Sequence, residues 1–207
     1  SVVQHADFMG DSLKLAQLAA SVVEDRAAAG TPVEHIIFCG VHFMAETADI
    51  LTPDSVQVIL PDLSAGCSMA DMADYDQTVE AWDIIHESLN EQGWTGRIIP
   101  ITYVNSTAAI KAFVGDHGGA CCTSSNAGQV FEWAMNGGTE PRAENEDIKV
   151  LFLPDQHLGR NTSAAFGIDV TRNTCVYDPK KTERGEPLGG ASAQELYNAA
   201  TILWAGH

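Results

Sequence analysis

The chain has 207 residues, of which 45% are hydrophobic and 19% are charged. A chain of this length buries about 70% of its unfolded surface, which is enough for one or two ordinary cores. Its 28 acidic residues outnumber its 11 basic ones and give a formal net charge of −17. Because this charge repels phosphate backbones and anionic lipid headgroups, we expect no nucleic-acid partner and no membrane-surface partner.

No window approaches the length of about 18 apolar residues that a membrane span needs, and the first residues form neither a basic leader nor an apolar stretch. We therefore expect no transmembrane span and no signal peptide. The five cysteines are odd in number and include no CxxC pair, which favours a reducing, cytoplasmic location over a disulfide framework or a zinc ribbon. Because the first residue is Ser1 and not Met, we expect the chain to belong to a longer protein.

Helical and strand patterns alternate along the chain, which is typical of an α/β protein with parallel sheets. In chain order, the predicted elements are a helix at 13–29 with Asp11 or Ser12 as its cap and a stop at 30–32, a buried strand at 35–41, a helix at 43–51, a buried strand at 56–60, a loop at 61–71, a helix at 78–92, a strand at 97–104, a helix at 106–113 and a turn at 115–119. The length and spacing of each apolar run between turn residues indicate whether it forms a helix or a strand.

The second half repeats the order of the first. GDSLKLAQLA corresponds to SSNAGQVFEWA, HIIFCGVHFMAETADIL corresponds to IKVLFLPDQHLGRNTSAAFG, and VQVILPDLSAGC corresponds to ATILWAGH. The sequence therefore predicts two related α/β domains, at 1–76 and 77–207. The polar stretches near 137–147 and 178–193 are predicted to be long loops.

Ser12 and Ser124 each precede a predicted amphipathic helix in equivalent places of the repeat. Serine is a favoured helix cap, so capping alone explains either residue taken singly. A hydroxyl beside the free N–H groups of a helix start also binds carboxylate or phosphate. Since equivalent elements of a repeat place both residues at strand carboxyl ends, we expect them to face one cleft.

Three other residues lie at or just after the ends of predicted strands. Cys67 lies in a strand-to-helix loop between Gly66 and Ser68, a position that favours the thiolate over plain burial. Tyr103 and Asn105 alternate with Val104, so both side chains point to one side and offer a phenol and an amide to a carboxylate or a proton. A half-buried Tyr and a capping Asn explain that pair equally well.

Several common catalytic signatures are absent from the sequence. It contains no GxSxG, no GxGxxG and no GxxxxGK[ST], so a nucleophilic serine elbow and the usual dinucleotide and triphosphate loops are unsupported. Cys121 and Cys122 are adjacent, and their side chains diverge in extended backbone, so we interpret both as structural.

Seven blocks, in order, resemble quinolinate synthase. They are GDSLKLA, CGVHFMAETADIL, VILPDLSAGCSMAD, ITYVNSTAAIKA, CTSSNA, FLPDQHLGRN and ILWAGH. The resemblance implies repeated three-layer αβα units with short parallel sheets, here two of three pseudo-threefold related domains around a central pocket, with the third domain absent.

The resemblance also implies a [4Fe-4S] cluster held by one cysteine from each domain, with an open iron that acts as a Lewis acid. It makes Cys67 the first ligand. The second family cysteine follows a W-x-G-x block, which here ends at His207, one position before that cysteine is expected. This chain is therefore expected to supply one of three ligands and to be inactive alone.

The family reaction condenses iminoaspartate (iminosuccinate) with dihydroxyacetone phosphate in de novo NAD biosynthesis. By resemblance, Ser12 and Ser124 hold substrate carboxylates or phosphate, the Tyr103–Val104–Asn105 block binds the imino diacid with Tyr103 as the catalytic proton carrier, and Met44 lines the pocket. L-aspartate oxidase or aspartate dehydrogenase is the implied metabolic supplier.

Two alternatives remain open. A diphthamide-synthesis enzyme also arranges three cysteines from three similar domains around a cluster, although the YVN and TSSNA blocks favour quinolinate synthase. A metal-free module that binds small di-acids or phosphates is the other.

Overall fold

The computed structural model describes residues 2–206 and shows an α/β protein with short parallel sheets. The chain divides into two compact units, Ser1–Ser68 and Met69–His207, each with its own sheet. The domain limits predicted at 1–76 and 77–207 stay a prediction. Within residues 2–206, no helix combines the length and the apolar composition needed to cross a membrane.

The first unit alternates helices and strands as the sequence predicts. After a 3₁₀ turn at Val2–His5, its elements are α1 (Ser12–Ala28), β1 (His35–Ile37), α2 (His42–Leu51) and β2 (Gln57–Ile59). The two strands pair in parallel, with Ile36 opposite Val58. The predicted helices at 13–29 and 43–51 are therefore confirmed to within one residue at each end.

Both strands of the first unit were predicted to be longer and more buried than they are. One face of the two-stranded sheet packs against α1 and α2, where Ala16, Ala45 and Ala48 form a small core with Phe38. On the other face Ile37 is 69% exposed. An apolar run favours burial, but a strand is buried on both faces only where elements cover both of them. The prediction of a three-layer unit is therefore wrong for the part of this unit that the structure describes.

The second unit contains the larger sheet. Its elements are a 3₁₀ turn at Ala70–Met72, α3 (Tyr75–Glu91), β3 (Arg97–Tyr103), α4 (Ala108–Asp116), β4 (Ala120–Cys122), α5 (Ala127–Met135), β5 (Ile148–Leu153), α6 (Gln156–Ala165), β6 (Thr174–Tyr177), α7 (Pro179–Glu183), a 3₁₀ segment at Pro187–Gly190, α8 (Ala193–Asn198) and β7 (Thr201–Trp204). The strand order is β4-β3-β5-β7-β6, and every neighbouring pair is parallel.

This unit has the three layers that were predicted. Helices α3, α4 and α8 cover one face of the sheet, and α5 and α6 cover the other. Alternate residues of β5 serve the two faces, since Leu151 and Leu153 pack with the first group of helices while Val150 and Phe152 pack with the second. Burial on both faces explains why β5 is apolar at five of six positions, as expected for a central parallel strand.

The exception in β5 is Lys149, which is 2% exposed. Its ammonium donates hydrogen bonds to the carbonyls of Tyr197 and Ala199 at 2.7 Å each, at the end of α8. The carboxyl end of a helix is the negative end of its dipole and favours a cation. Burial lowers the pKa of the Lys149 ammonium, and Asp147 opposes that shift.

The loops of the second unit differ from their prediction. Residues 137–147 contain no helix or strand, as predicted, and Arg97 holds this stretch by bonding the carboxylate of Glu146 and the carbonyls of Gly137 and Glu140. Residues 178–193 were predicted to be a loop, but α7 and a 3₁₀ segment occupy much of this stretch. Strands β4 and β6 were not predicted. All of these elements are too short for a periodic apolar pattern to show.

Helix, strand, helix and strand follow in the same order in the two stretches that were matched as repeats. In the first stretch they are α1, β1, α2 and β2, and in the second they are α5, β5, α6 and β7. Both strand pairs are parallel and adjacent. The second stretch differs by the insertion of β6, α7 and α8 before its last strand.

Candidate functional site

In the second unit, the predicted site residues lie at the carboxyl edge of the five-stranded sheet. Tyr103 ends β3 and is paired in register with Cys122, which ends β4. Asn105 follows the first of these strands by two residues, and Ser124 follows the second by two residues. The parallel pairing therefore brings Tyr103, Asn105 and Ser124 to one edge, which is where ligand sites form in open α/β sheets.

The turn after β3 shows the alternation that the sequence predicts. Tyr103 and Asn105 are half-buried, whereas Val104 between them is only 2% exposed. The Val104 N–H donates to the carbonyl of Cys122 at 2.7 Å, and the Val104 carbonyl accepts a hydrogen bond from the N–H of Ser106 at 2.9 Å. Val104 thus anchors the turn from inside, and its two neighbours keep part of their surface accessible.

Ser124 does not cap α5. The helix begins at Ala127, and Asn126 precedes it. The Asn126 side chain accepts hydrogen bonds from the N–H of Thr123 at 2.6 Å and from the Thr123 hydroxyl at 3.0 Å. The Ser124 side chain is exposed and makes no hydrogen bond to another residue of the described chain. Its hydroxyl is therefore accessible to a ligand at the start of α5.

In the first unit, Asp11 and not Ser12 caps α1. The Asp11 carboxylate accepts a hydrogen bond from the N–H of Lys14 at 3.1 Å, and Ser12 is the first residue of the helix. The Ser12 side chain is half-buried and has no hydrogen-bond partner among residues 2–206. Carboxylates compete better than hydroxyls for the partial positive charge of a helix start. The structure thus removes the capping explanation for both serines.

Cys67 lies in the loop that follows β2, and its side chain is half-buried. The loop is folded on itself: Asp62 accepts hydrogen bonds from the N–H of Ser64 at 2.9 Å and from its hydroxyl at 2.6 Å, and these bonds lower the pKa of the Asp62 carboxyl. The N–H of His42 donates to the carbonyl of Ala65 at 2.8 Å and ties the loop to the start of α2. The Cys67 position is therefore defined and not enclosed in the core.

Met44 lies in the first turn of α2. It is half-buried and packs against the small core of the first unit, beside Phe38 and Ala45. The terminal methyl of Met44 lies close to Gly40, since a Cβ added at Gly40 would be 3.5 Å from Met44 Cε. Met44 thus combines a core contact with an accessible part.

The other cysteines fall into two classes. Cys122 and Cys175 are buried, and burial raises the pKa of each thiol to about 12. Cys39 and Cys121 are exposed. Adjacent Cys121 and Cys122 thus diverge, as predicted. Metals bind the thiolate, and burial disfavours the thiolate of Cys122 and of Cys175. These two side chains are therefore suited to packing.

The described residues do not form a complete metal site. Across residues 2–206, no group of three or more His, Cys, Asp or Glu side chains is arranged to hold a metal ion. Iron–sulfur clusters are held by several thiolates, and Cys67 is the one that the resemblance assigns here. This donor set does not fit a cluster by itself. His207, the last residue of the predicted W-x-G-x block, lies outside the described residues.

Two surface depressions lie elsewhere. One, of about 610 Å³, lies between the end of α2 and β2, and the other, of about 490 Å³, lies between α5 and the 137–147 loop. Neither is lined by a residue that the sequence analysis selected. The candidate site is thus defined by the carboxyl edges of the strands and not by these depressions.

The sequence did not indicate that Ser106 and Lys111 support the turn after β3. Ser106 is fully buried behind the turn after β3, and the Lys111 ammonium donates to the Ser106 carbonyl at 2.8 Å. The only signal in the sequence was a pair of hydroxyl residues before an apolar helix, where Thr107 is the actual cap. A contact between a side chain and a carbonyl five residues earlier depends on the fold of the turn.

The family model described as quinolinate synthetase A protein matches residues 1–207. The chain belongs to the quinolinate synthetase A family. It is 50% identical over 205 residues to quinolinate synthase of Corynebacterium glutamicum, covering 99% of this chain and 45% of that protein. It is 53% identical over 206 residues to the quinolinate synthase of Geobacillus kaustophilus, covering 100% of this chain and 48% of that protein.

A third member of the quinolinate synthetase A family, quinolinate synthase of Streptomyces coelicolor, is 50% identical over 207 residues, covering 100% of this chain and 46% of that protein. The chain therefore spans about half the length of the curated relatives that it matches. The resemblance drawn from the seven sequence blocks is confirmed at the level of the family.

Proposed function

We propose that this chain forms part of a quinolinate synthase, a transferase that condenses iminoaspartate (iminosuccinate) with dihydroxyacetone phosphate, with loss of phosphate and water, in NAD biosynthesis. The observation that carries the proposal is the match to the family along the whole chain, with relatives of that name at about 50% identity. The substrates are small anions. Their binding suits hydroxyl, amide and backbone N–H donors at strand ends better than an extended basic surface.

In the second unit we assign the imino diacid to the turn after β3 and the segment after β4. Asn105 would hold a carboxylate through its amide, and Tyr103 would carry a proton through its phenol. Val104, which is buried between them, would anchor this block in the protein interior. Ser124 would donate its hydroxyl to a carboxylate or phosphate, which its exposure permits.

In the first unit we assign Ser12 to a second anion contact and Met44 to the apolar wall of the pocket. Cys67 would be one thiolate ligand of a [4Fe-4S] cluster whose other ligands lie outside this chain. Such a cluster with an open iron position supplies a Lewis acid. The half-buried side chain and the defined loop support this assignment of Cys67.

The whole protein would contain a third α/β domain, related to the other two by pseudo-threefold symmetry and placed around a shared pocket. L-aspartate oxidase or aspartate dehydrogenase would supply the iminoaspartate. A cytoplasmic location suits an oxygen-sensitive cluster and a chain without paired cysteines. The piece described here would be inactive alone, since it offers one of three expected thiolates.

The test is an assay of the full-length protein, purified without oxygen. Iminoaspartate is generated in the reaction from aspartate, dihydroxyacetone phosphate is added, and quinolinate is measured by chromatography. We expect quinolinate from the native protein. Cys67→Ser should lose both the visible absorption of the cluster and turnover, because a hydroxyl is a poor ligand for iron–sulfur clusters.

The matched control is Cys39→Ser, which changes an exposed cysteine of the same unit. It should keep cluster absorption and turnover. Absence of quinolinate from the anaerobic native protein with its cluster intact would overturn the proposed reaction. A Cys67→Ser protein with normal absorption and turnover would overturn the ligand assignment alone.

A further inference from the structure

The side chains of Ser106 and Lys111 hold the turn after β3 in place, and the proposed function uses neither of them. The turn runs from Tyr103 to Ser106 and leads into α4, whose cap is Thr107. It contains Tyr103 and Asn105, which are to contact substrate. Its shape therefore decides where a phenol and an amide are presented.

Ser106 is the inner of these two side chains. It is 0% exposed, and its hydroxyl donates to the carbonyl of Tyr103 at 2.9 Å. Its N–H donates to the carbonyl of Val104, also at 2.9 Å. Ser106 thus closes the turn with two hydrogen bonds, which are accepted by the carbonyl of Tyr103 itself and by the carbonyl of Val104, the residue between Tyr103 and Asn105.

Lys111 is the outer one. It lies in the second turn of α4, and its ammonium donates to the carbonyl of Ser106 at 2.8 Å. A hydrogen bond from a charged donor is roughly twice as strong as a neutral one. The N–H of Lys111 also donates to the carbonyl of Thr107 at 3.1 Å, so the helix that carries the ammonium starts at the turn itself.

We propose that Lys111 is a positioning residue which, through Ser106, fixes the orientation of Tyr103 and Asn105 for substrate. The inference rests on the proposed function for the identity of the substrate. The hold of Lys111 on the turn after β3 does not depend on that function. Without the ammonium, the Ser106 carbonyl loses a donor and the turn gains alternative conformations. A misplacement of about 1 Å in a substrate contact can reduce a rate by about 100-fold.

The test uses the full-length holoenzyme with Lys111→Met, which keeps most of the side-chain length and removes the donor. Lys111→Arg keeps a charged donor and is the conservative variant. Lys180→Met is the matched control, because Lys180 is exposed on α7 in the same unit. Hydrogen exchange of peptides covering 103–110 is measured for each variant, together with kcat and KM.

For Lys111→Met we expect exchange at 103–110 to be at least about 5-fold faster, since the turn opens more often when one of its bonds is removed. We expect kcat/KM to fall about 10- to 100-fold, with partial recovery in Lys111→Arg and no change in Lys180→Met. A double variant with Asn105→Ala should lose less than the product of the two single losses, because one of the two residues through which Lys111 acts has been removed.

Four outcomes decide the proposal. Unchanged exchange in Lys111→Met would overturn it, as would losses in Lys111→Met and Asn105→Ala that simply multiply. Faster exchange with non-additive losses supports it. If the native protein makes no quinolinate while Lys111→Met still loosens the turn, the proposed function fails and the mechanical role of Lys111 stands.

Discussion

The indole Nε1 of Trp204 donates a hydrogen bond to the backbone carbonyl of Met72 at 2.8 Å. Trp204 ends β7 and is fully buried, and Met72 lies in the 3₁₀ turn that opens the second unit. The bond therefore joins the beginning of this unit to its last strand. It also places the Trp-Ala-Gly block of the sequence against a defined partner.

Trp204→Phe removes this donor and keeps an aromatic ring. We expect the free energy of unfolding to fall by about 1 to 3 kcal/mol, because a carbonyl loses its partner. Urea unfolding followed by circular dichroism measures the change. Trp82→Phe is the control, since the Trp82 indole N–H has no hydrogen-bond partner among residues 2–206. An equal fall in the free energy of unfolding in the two variants would show that the hydrogen bond to Met72 does not stabilise the unit.

Gly159→Ala should destabilise the second unit. A Cβ at this position of α6 would lie 2.7 Å from Leu203 Cδ2 and 2.8 Å from Phe152 Cγ, so the sheet and the helix must separate. Overpacking of this kind costs about 1 to 3 kcal/mol. Gly128→Ala on α5 meets nothing within 4 Å and should instead stabilise by about 0.5 to 1 kcal/mol. The two variants are compared by thermal unfolding, and a stable Gly159→Ala protein would contradict the close packing.

The buried thiol of Cys175 should make the protein less stable at alkaline pH. Burial raises its pKa from 9.0 to about 12, so the unfolded chain ionises before the folded one. The stabilising effect is complete below about pH 9 and is lost as the pH rises toward 12, by up to about 1.4 kcal/mol per pH unit.

The measurement for Cys175 compares urea unfolding of the native protein and Cys175→Ala between pH 8 and 10.5. We expect the native protein to lose stability relative to the variant as the pH rises above 9. Cys39→Ala, which removes an exposed thiol, is the control and should follow the native protein. Parallel curves for native and Cys175→Ala proteins would mean that the thiol ionises freely in the folded state.

Arg97→Gln should loosen residues 137–147. Besides the two loop carbonyls, Arg97 bonds Glu146, with Nη2 donating to Oε2 at 3.0 Å, and the guanidinium is the main reason that the Glu146 pKa falls to about 2. We expect faster hydrogen exchange in 137–147 at pH 7. Arg172→Gln is the control, because the pair of Arg172 with Asp169 is exposed.

The same contact predicts a pH dependence for the loop. Because folding lowers the Glu146 pKa from 4.5 to about 2, the stabilising effect of the ion pair is present above about pH 4.5 and is lost as the pH falls toward 2. Protection of 137–147 in the native protein should therefore approach that of Arg97→Gln in acid. Persistence of the difference at pH 2 would argue against the ion pair as its cause.

Ser124→Ala in the full-length protein tests the proposed anion contact without disturbing the fold. The side chain is exposed and unbonded within the described chain, so thermal stability should not change. A hydrogen bond to a charged ligand contributes about 1.5 to 3 kcal/mol, so we expect KM for one substrate to rise about 10-fold or more. Ser88→Ala on α3 is the control. An unchanged KM for both substrates would remove Ser124 from the site.

Local sequence was sufficient for the elements that have a long periodic pattern. The helix α3 and the strand β3 were predicted at nearly their observed positions, because 17 and 7 residues respectively are enough to show the spacing of an apolar face. The loop of Cys67 was also predicted, since turn residues mark it on both sides. The family resemblance followed from motif order alone.

Tertiary structure decided which apolar residues are buried, which residue caps a helix and which side chains reach distant carbonyls. Ile37 is apolar and predicted to be buried, yet it is exposed because nothing among the described residues covers that face of β1 and β2. Asp11, and not Ser12, caps α1 because the choice between neighbours depends on backbone angles. The bond from Lys111 to the Ser106 carbonyl exists only once β3 and α4 are joined by a turn of defined shape, since a side chain's reach is set by the path of the backbone between its ends.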